Sequence, residues 1–432
     1  MSYTRRVRSL IFLDAGQQEQ TVETLLGLFN SHTTPPLVFP NLHTIQWFDE
    51  RQDMLPCLLR CLSPTVTVLS LNLGYKSWFR WSSTGIQGMA TIMDSLARKT
   101  PSMDQFWCNV PPAFDAATEM FSELICGWTR LTNVGMPIPV NSRTLLHLAS
   151  LSLRKLYITI PSAWGPAETA HSVSAWFPES LENLCISGPT FSSCARFMAR
   201  LHAAPLSVNV RSEAPCRAHE VRELTKMLST QLSHQRLQEL CIQMAEPDNK
   251  GVPHLLELKD IEPLSRFTQL KVLNLNELYP GNLRDGDIHH LASAWPHLVR
   301  LFFGTRWESP VRPCVSVAGL QSVLTQCPML ETLCLPVNFH FSPDMIISAE
   351  QPYSGVVHTS LRHLNVGCGS CNEPKSTAAL LSAMLPSMYL SYWKEYSEDE
   401  GETPLTDEES SRIAAWVEVQ RLLGYDLDLD DI

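Results

Sequence analysis

Hydrophobic residues along this chain return in one short phrase: apolar, any, any, apolar, any, apolar. It reads Leu42-His43-Thr44-Ile45-Gln46-Trp47. It comes back from Leu131 to Met136, Leu153 to Ile158, Leu181 to Ile186, Leu237 to Ile242, Leu270 to Leu275, Leu298 to Phe303, Leu330 to Leu335 and Leu361 to Val366. Poorer copies run from Val66 to Leu71 and from Met103 to Cys108. Arg6 to Leu10 reads as a worn first copy and Leu206 to Val210 as a shortened one. From Leu131 onward the phrases start 22, 28, 25, 31, 33, 28, 32 and 31 residues apart. The phrase alternates at period two, the signature of a strand with one buried face. The stretches between phrases turn to helical spacing. Thr84 to Ala97 brings Ile86, Met89, Ala90, Met93, Leu96 and Ala97 to one face, and Phe191 to Leu201 and Ala378 to Leu385 behave alike.

A unit this small cannot bury its own apolar face, so the units must stack on one another. The expected fold is α/β: a leucine-rich-repeat solenoid of about 13 repeats, a horseshoe with parallel strands on its concave side and helices on its convex side. Repeats of this class run to about 20–29 residues, so several here are long. The expected division is 1–390 for the irregular solenoid, 391–408 for an acidic linker, and 409–432 for a capping helix with an acidic tail. Thr406-Asp407-Glu408-Glu409 has capping-box form and leads into Ile413, Trp416, Val417, Gln420 and Leu423 at helical spacing. The terminal Asp426-Leu427-Asp428-Leu429-Asp430-Asp431 reads as frayed.

Charge sharpens this picture. The net charge is −11, and residues 391–432 alone, with 13 acidic and 3 basic side chains, carry −10 of it. The body is therefore near neutral. The one basic cluster, Arg5-Arg6-Val7-Arg8, is too short to hold nucleic acid by itself. Thirteen cysteines, an odd number, lie scattered, many within apolar strand patterns (Cys185, Cys241, Cys334), unlike a disulfide framework. No asparagine opens an N-x-Ser/Thr sequon. The run Leu10-Ile11-Phe12-Leu13 is shorter than a signal-peptide core of about 7–15 residues. No stretch of about 18 apolar residues offers a membrane span. The expectation is a cytoplasmic or nuclear protein that binds neither nucleic acid nor membrane.

Few motifs carry chemistry. Cys368-Gly369-Ser370-Cys371 has the form of half a zinc site or a redox pair, but no histidine follows His363 and no cysteine follows Cys371. It reads as two loop cysteines after a strand. Asp285-Gly286-Asp287 with His289-His290 lacks the further oxygen ligands of a calcium loop and reads as a helix start, with Asp285 or Asp287 as the cap. No phosphate loop, dinucleotide fingerprint, H-E-x-x-H or nucleophile elbow is present. The chain is expected to be no enzyme and to need no cofactor or metal.

Several segments resemble the leucine-rich-repeat region of F-box proteins of the irregular kind found in mushroom-forming fungi. They are Phe39-Pro40-Asn41-Leu42, Cys327-Pro328-Met329-Leu330-Glu331-Thr332-Leu333, Thr359-Ser360-Leu361-Arg362-His363-Leu364 and the closing Ala414-Ala415-Trp416-Val417-Glu418-Val419. The resemblance spans nearly the whole chain. It implies a substrate receptor of a Skp–cullin ubiquitin ligase, in which the repeats hold an unknown protein substrate. The F-box itself is expected to be missing from this chain, since the phrase starts within the first ten residues. Skp–cullin engagement is therefore expected only with an F-box upstream. The alternative is a regulatory leucine-rich protein, such as a GTPase activator or scaffold. Those repeats place an asparagine three positions after the phrase, where this chain has Pro161, Pro189 and Leu278, with Asn338 the exception.

Tryptophan, tyrosine and arginine dominate binding hot spots. The candidate protein-binding residues are therefore the outward positions of the phrases and the aromatic loops that follow them: Trp78, Arg80, Trp81, Trp107, Tyr157, Trp164, Arg300, Phe302, Arg306 and Trp307.

Overall fold

Each phrase becomes a parallel strand, and its three apolar positions become core. The computed structural model is described over residues 5–13, 27, 38–49, 51, 54–72, 83–109, 118–139, 141–160, 174–245, 255–279, 282–304, 313–341, 355–392 and 406–425. The chain divides into two compact units: Met1–Pro189 with Arg196–Leu206, and Thr190–Ala195 with Ser207–Ile432.

In the first unit, parallel strands stand in chain order: β1 (Ser9–Leu13), β2 (Thr44–Phe48), β3 (Val68–Asn72), β4 (Gln105–Asn109), β5 (Asn133–Pro139) and β6 (Lys155–Thr159). A short β7 (Ala175–Trp176) leaves this order, and β8 (Asn183–Gly188) resumes it beside β6. β7 pairs instead with β9 (Leu201–His202). The second unit repeats the scheme with β10 (Ser207–Ser212), β11 (Glu239–Met244), β12 (Val272–Leu275), β13 (Arg300–Phe303), β14 (Thr332–Cys334), β15 (His363–Asn365) and β16 (Tyr389–Ser391). This succession of parallel strands, with helical connectors between most of them, is a leucine-rich-repeat fold.

The register explains why the phrase has its form. Leu10, Ile45, Leu69, Phe106, Val134, Leu156 and Leu184 lie side by side across the first unit. All but Leu10 are fully or nearly fully buried. The third apolar positions, among them Trp47, Leu71 and Cys108, form a second buried row. Between the first and second apolar positions the backbone turns. There one carbonyl accepts two amides of the next repeat: His43 O binds Thr67 N and Val68 N at 2.9 and 3.0 Å, and Thr67 O binds Asp104 N and Gln105 N at 2.8 and 3.0 Å. The relay gives these strand-start donors their partners.

The connectors hold helices where the spacing predicts them. α1 (Leu55–Cys61), α2 (Ser83–Lys99), α3 (Thr118–Cys126) and α4 (Ser142–Ala149) serve the first unit. On α2 the inward side chains are Ile92, Met93 and Leu96, while Ala97, assigned to that face by the sequence pattern, is exposed. α5 (Phe191–Met198) crosses the boundary between the units. α6 (Ala218–Gln231), α7 (Leu258–Ile261), α8 (Asp285–Ala294), α9 (Val317–Gln326), α10 (Pro374–Met384) and α11 (Asp407–Leu422) belong to the second. Asp260, fully buried on α7, receives Arg222 Nε and Nη2 of α6 at 2.9 and 2.6 Å. It also receives the Glu257 amide at 3.0 Å, so a buried carboxylate ties two helices with its oxygens occupied.

Three features of the repeat differ from the sequence reading. The register sets Leu10 beside Ile45 and Phe12 beside Trp47, so the first copy runs from Val7 to Phe12. The copy starting at Leu206 is full length, because buried Pro205 fills its first apolar position ahead of Val208 and Val210. A further copy, Leu385-Pro386-Ser387-Met388-Tyr389-Leu390, supplies β16 and brings the described strands of the phrase to fourteen.

α11 starts at Asp407, inside the segment read as linker. Thr406 Oγ1 accepts the Glu409 amide at 3.2 Å, and Glu409 Oε2 accepts the Thr406 amide at 2.6 Å, the reciprocal capping its sequence predicts. Trp416 is fully buried, donates its indole N–H to Gly369 O at 2.7 Å, and meets Phe339 edge to face at 5.5 Å. Gly369 tolerates no side chain, since a Cβ there would stand 2.1 Å from Val337 O. Among the described residues, no helix is long and apolar enough to cross a membrane.

Candidate functional site

The outward positions of the strands, the two inner "any" positions of each phrase, form rows across each unit. In the first unit one row runs through Gln46, Ser70, Trp107, Gly135, Tyr157 and Cys185. Trp107 and Tyr157 are both half-buried and stand two strands apart, roughly 10 Å by strand spacing. Gly135 between them is required by the indole: a Cβ there would lie 2.1 Å from Trp107 Cε3 and 2.4 Å from Cζ3. The indole is thus laid over the backbone of β5. Lys155 stands exposed in the neighbouring row, on the same strand as Tyr157.

In the second unit the equivalent row runs through Asn209, Cys241, Asn274, Phe302, Cys334 and Asn365. Phe302 is half-buried, and Arg300, two residues before it on the same face, is exposed. Arg300 has the uncharged Val272 and Thr332 on either side. Two strands further, His363 shares the row of Arg300 with Tyr389. The His363 and Tyr389 rings stack at 5.8 Å, and His363 Nε2 lies 2.8 Å from Ser391 Oγ. Burial pulls the His363 pKa below its ordinary value.

Four of the ten predicted binding residues therefore fall on the outward strand face: Trp107 and Tyr157 in one unit, Arg300 and Phe302 in the other. Trp78, Arg80, Trp81, Trp164, Arg306 and Trp307 lie outside the described residues. The sequence reading missed Tyr389, 57% exposed, because β16 went unrecognised; its signal was the phrase from Leu385. It also passed over Trp176, 70% exposed and stacked on His202 at 3.9 Å, which lies on the short β7–β9 pair outside any phrase.

The chemical motifs settle into structural contacts. Asp285 Oδ1 and Oδ2 accept Ser316 N and Oγ at 2.7 and 2.6 Å, joining the starts of α8 and α9. Asp287 Oδ2 accepts the Arg284 amide at 2.9 Å, so Asp287 caps α8 from its third position. None of the 13 cysteines is in a disulfide. The Cys371 thiol, pushed up in pKa mainly by burial, lies 3.2 Å from Thr377 Oγ1. One pairing escapes the sequence: upstream His340 puts Nε2 2.6 Å from Ser370 Oγ. They line a cavity of about 240 Å³ with Cys368, Cys371 and Arg412. Ser370 is also bound by Asn338 Oδ1, at 2.8 Å from its hydroxyl and 3.0 Å from its amide, while Asn338 Nδ2 donates to Pro313 O. The asparagine that follows its phrase as in regular repeats is therefore engaged in binding successive loops together.

No family model matches the chain, and no curated protein matches it. Among solved structures it is similar to an internalin of Listeria monocytogenes, at 11% identity and TM-score 0.36, over 83% of this chain and 82% of that one. It is also similar to the complex of yeast Rad7 and Elc1, at 12% identity and TM-score 0.26, over 83% and 85%.

Proposed function

We propose that the chain is a protein-binding module whose outward strand faces capture another protein. The observation that supports this most is the pair of faces just described. A parallel sheet is ordinarily covered on both sides, yet these rows keep Trp107, Tyr157, Arg300, Phe302 and Tyr389 half-buried or exposed. Aromatic and arginine side chains on rigid strands lose little freedom on binding, which suits them to be anchors.

Within that reading the chain serves as the substrate-holding part of an F-box/leucine-rich-repeat receptor, in an assembly whose Skp–cullin contact is made by an F-box segment. The closing phrases and the Trp416 helix support this, through the resemblance they carry. The repeat body runs through β16, to Ser391, and the cap runs from Thr406 through α11 to its tail. The loop residues Trp78, Arg80, Trp81, Trp164, Arg306 and Trp307 extend the binding surface.

The test is crosslinking capture from the native source with wild type and with Trp107→Ala, Tyr157→Ala, Arg300→Ala, Phe302→Ala, Trp78→Ala and Trp307→Ala, each checked for an unchanged unfolding midpoint. The same partner should be captured by wild type and lost, at least tenfold, in two or more variants. Equal capture by all six removes the surface. The ubiquitin-ligase assignment fails separately, if the natural full-length protein purifies with no Skp–cullin component.

A further inference from the structure

The first strand of the first unit is an edge. Among the described residues, β1 pairs with β2 on one side and with no strand on the other. Its outward side chains are apolar and uncovered: Ile11 is 57% exposed and Leu13 64%. At the corresponding positions β2 carries Gln46 and Phe48, both half-buried. Just ahead of β1 stand Arg5, Arg6 and Arg8, all exposed and without an ion pair among the described residues. Asn41 holds the Arg5 carbonyl at 2.8 Å, and the Arg8 carbonyl accepts His43 N and Thr44 N at 2.8 and 3.1 Å, so the backbone that carries these charges is fixed.

Such an edge invites a particular occupant. Its unpaired amides and carbonyls call for an extended strand. The ledge of Ile11 and Leu13 calls for apolar side chains at every second position, and the three guanidiniums call for carboxylates. One segment of this chain has that composition. Residues 426–432 read Asp-Leu-Asp-Leu-Asp-Asp-Ile, apolar and acidic at period two, with four carboxylates against three arginines. The segment follows Tyr425, whose hydroxyl is tied to Met388 O at 2.5 Å at the foot of β16. We propose that residues 426–432 of a second copy add as a strand to the edge of β1. Run antiparallel, with Leu429 and Leu427 beside Ile11 and Leu13, the segment carries Asp430 and Asp431 past the start of β1 toward Arg8, Arg6 and Arg5.

Every copy carries one acceptor edge and one donor segment, so the contact is heterologous: the edge of one copy takes the tail of another. A short strand held by backbone bonds and screened charges binds weakly, and the association weakens with salt.

The test is sedimentation velocity of the full chain over a dilution series at low ionic strength. Wild type should associate with increasing concentration and dissociate on adding salt. Deleting residues 426–432, or combining Arg5→Glu, Arg6→Glu and Arg8→Glu, should lower the association constant at least tenfold. A charge exchange guards against misfolded variants. The triple glutamate chain and a chain with Asp426→Lys, Asp428→Lys, Asp430→Lys and Asp431→Lys should each stay monomeric alone and associate when mixed. A monomeric wild type at every concentration overturns the proposal. So does undiminished self-association of the tail-deleted chain, or a mixture of the two exchanged chains that stays monomeric.

Discussion

The two ends of the strand order are built differently. At the last strand, β16, the helix α11 and the turn after it supply side chains that finish what a further strand would have done. Gln420 Nε2 donates to Leu390 O at 2.9 Å, Tyr425 donates to Met388 O at 2.5 Å, and the indole of Trp416 is buried against Gly369 and Phe339. At the first strand, β1, Phe12 is the aromatic anchor of the end. It is stacked on Trp47 at 4.4 Å with the rings 8° from parallel, while Ile11 and Leu13 remain exposed. A repeat stack must terminate its apolar interior somewhere. One end does so with its own chain; the other keeps a strand edge, apolar side chains and arginines on offer. The difference teaches that, among the described residues, one end of the strand order is closed by side chains of its own chain while the other leaves its edge exposed.

That comparison can be broken by mutation, most severely at the closed end. Trp416→Ala removes the largest buried side chain of the cap and leaves Gly369 O without its donor. The expected cost is about 3–5 kcal/mol. Hydrogen exchange should show β15 and β16 losing protection first, with β1 and β2 unchanged. If loss is uniform across both units, the cap is not a local device. At the open end Phe12→Ala removes a half-buried ring and its stack, and should cost about 1–2 kcal/mol. A cost matching that of Trp416→Ala would erase the asymmetry between the ends. Gln420→Ala, read by urea midpoint, should cost about 1 kcal/mol, since one edge carbonyl turns from a side-chain donor to water.

Much of this was legible beforehand, and the reason is the period. Three apolar positions per unit, each buried by the next unit, write the strand and its inward face directly into the sequence. Leu42, Leu181, Leu237 and their equivalents are accordingly buried, with half-buried Val7 at the edge the exception. The misses come from residues whose role depends on neighbours. Pro205 fills an apolar slot without counting as part of the pattern, and Ala97 obeys the helical period yet finds no partner. The phrase at Leu385 was hidden behind the helix pattern that runs into it. Site residues were legible only in part. The outward positions follow from the period, which located Trp107, Tyr157, Arg300 and Phe302. No pattern in the chain tells that Trp107 lies over Gly135, or that His340 reaches Ser370 across 30 residues, because those contacts join different repeats.

The smallest effect separates the closed end most finely. His363 lies one strand inside β16, stacked on Tyr389 and hydrogen-bonded to Ser391, and burial lowers its pKa from 6.5. The folded chain thus holds this ring neutral where the unfolded chain would begin to protonate it. Above pH 6.5 both states carry it neutral, and its contribution is fully present. As pH falls through 6.5 towards the lower folded value, the unfolded chain takes up a proton that the folded chain resists, and the contribution is lost. His363→Gln keeps a hydrogen-bonding group but cannot titrate. The difference in urea midpoint between wild type and His363→Gln, measured at pH 7.5 and again at pH 5, should therefore move against the wild type at the lower pH. A difference that stays constant, or moves in favour of wild type, would mean that the ring beside Tyr389 is not held neutral by the closed end.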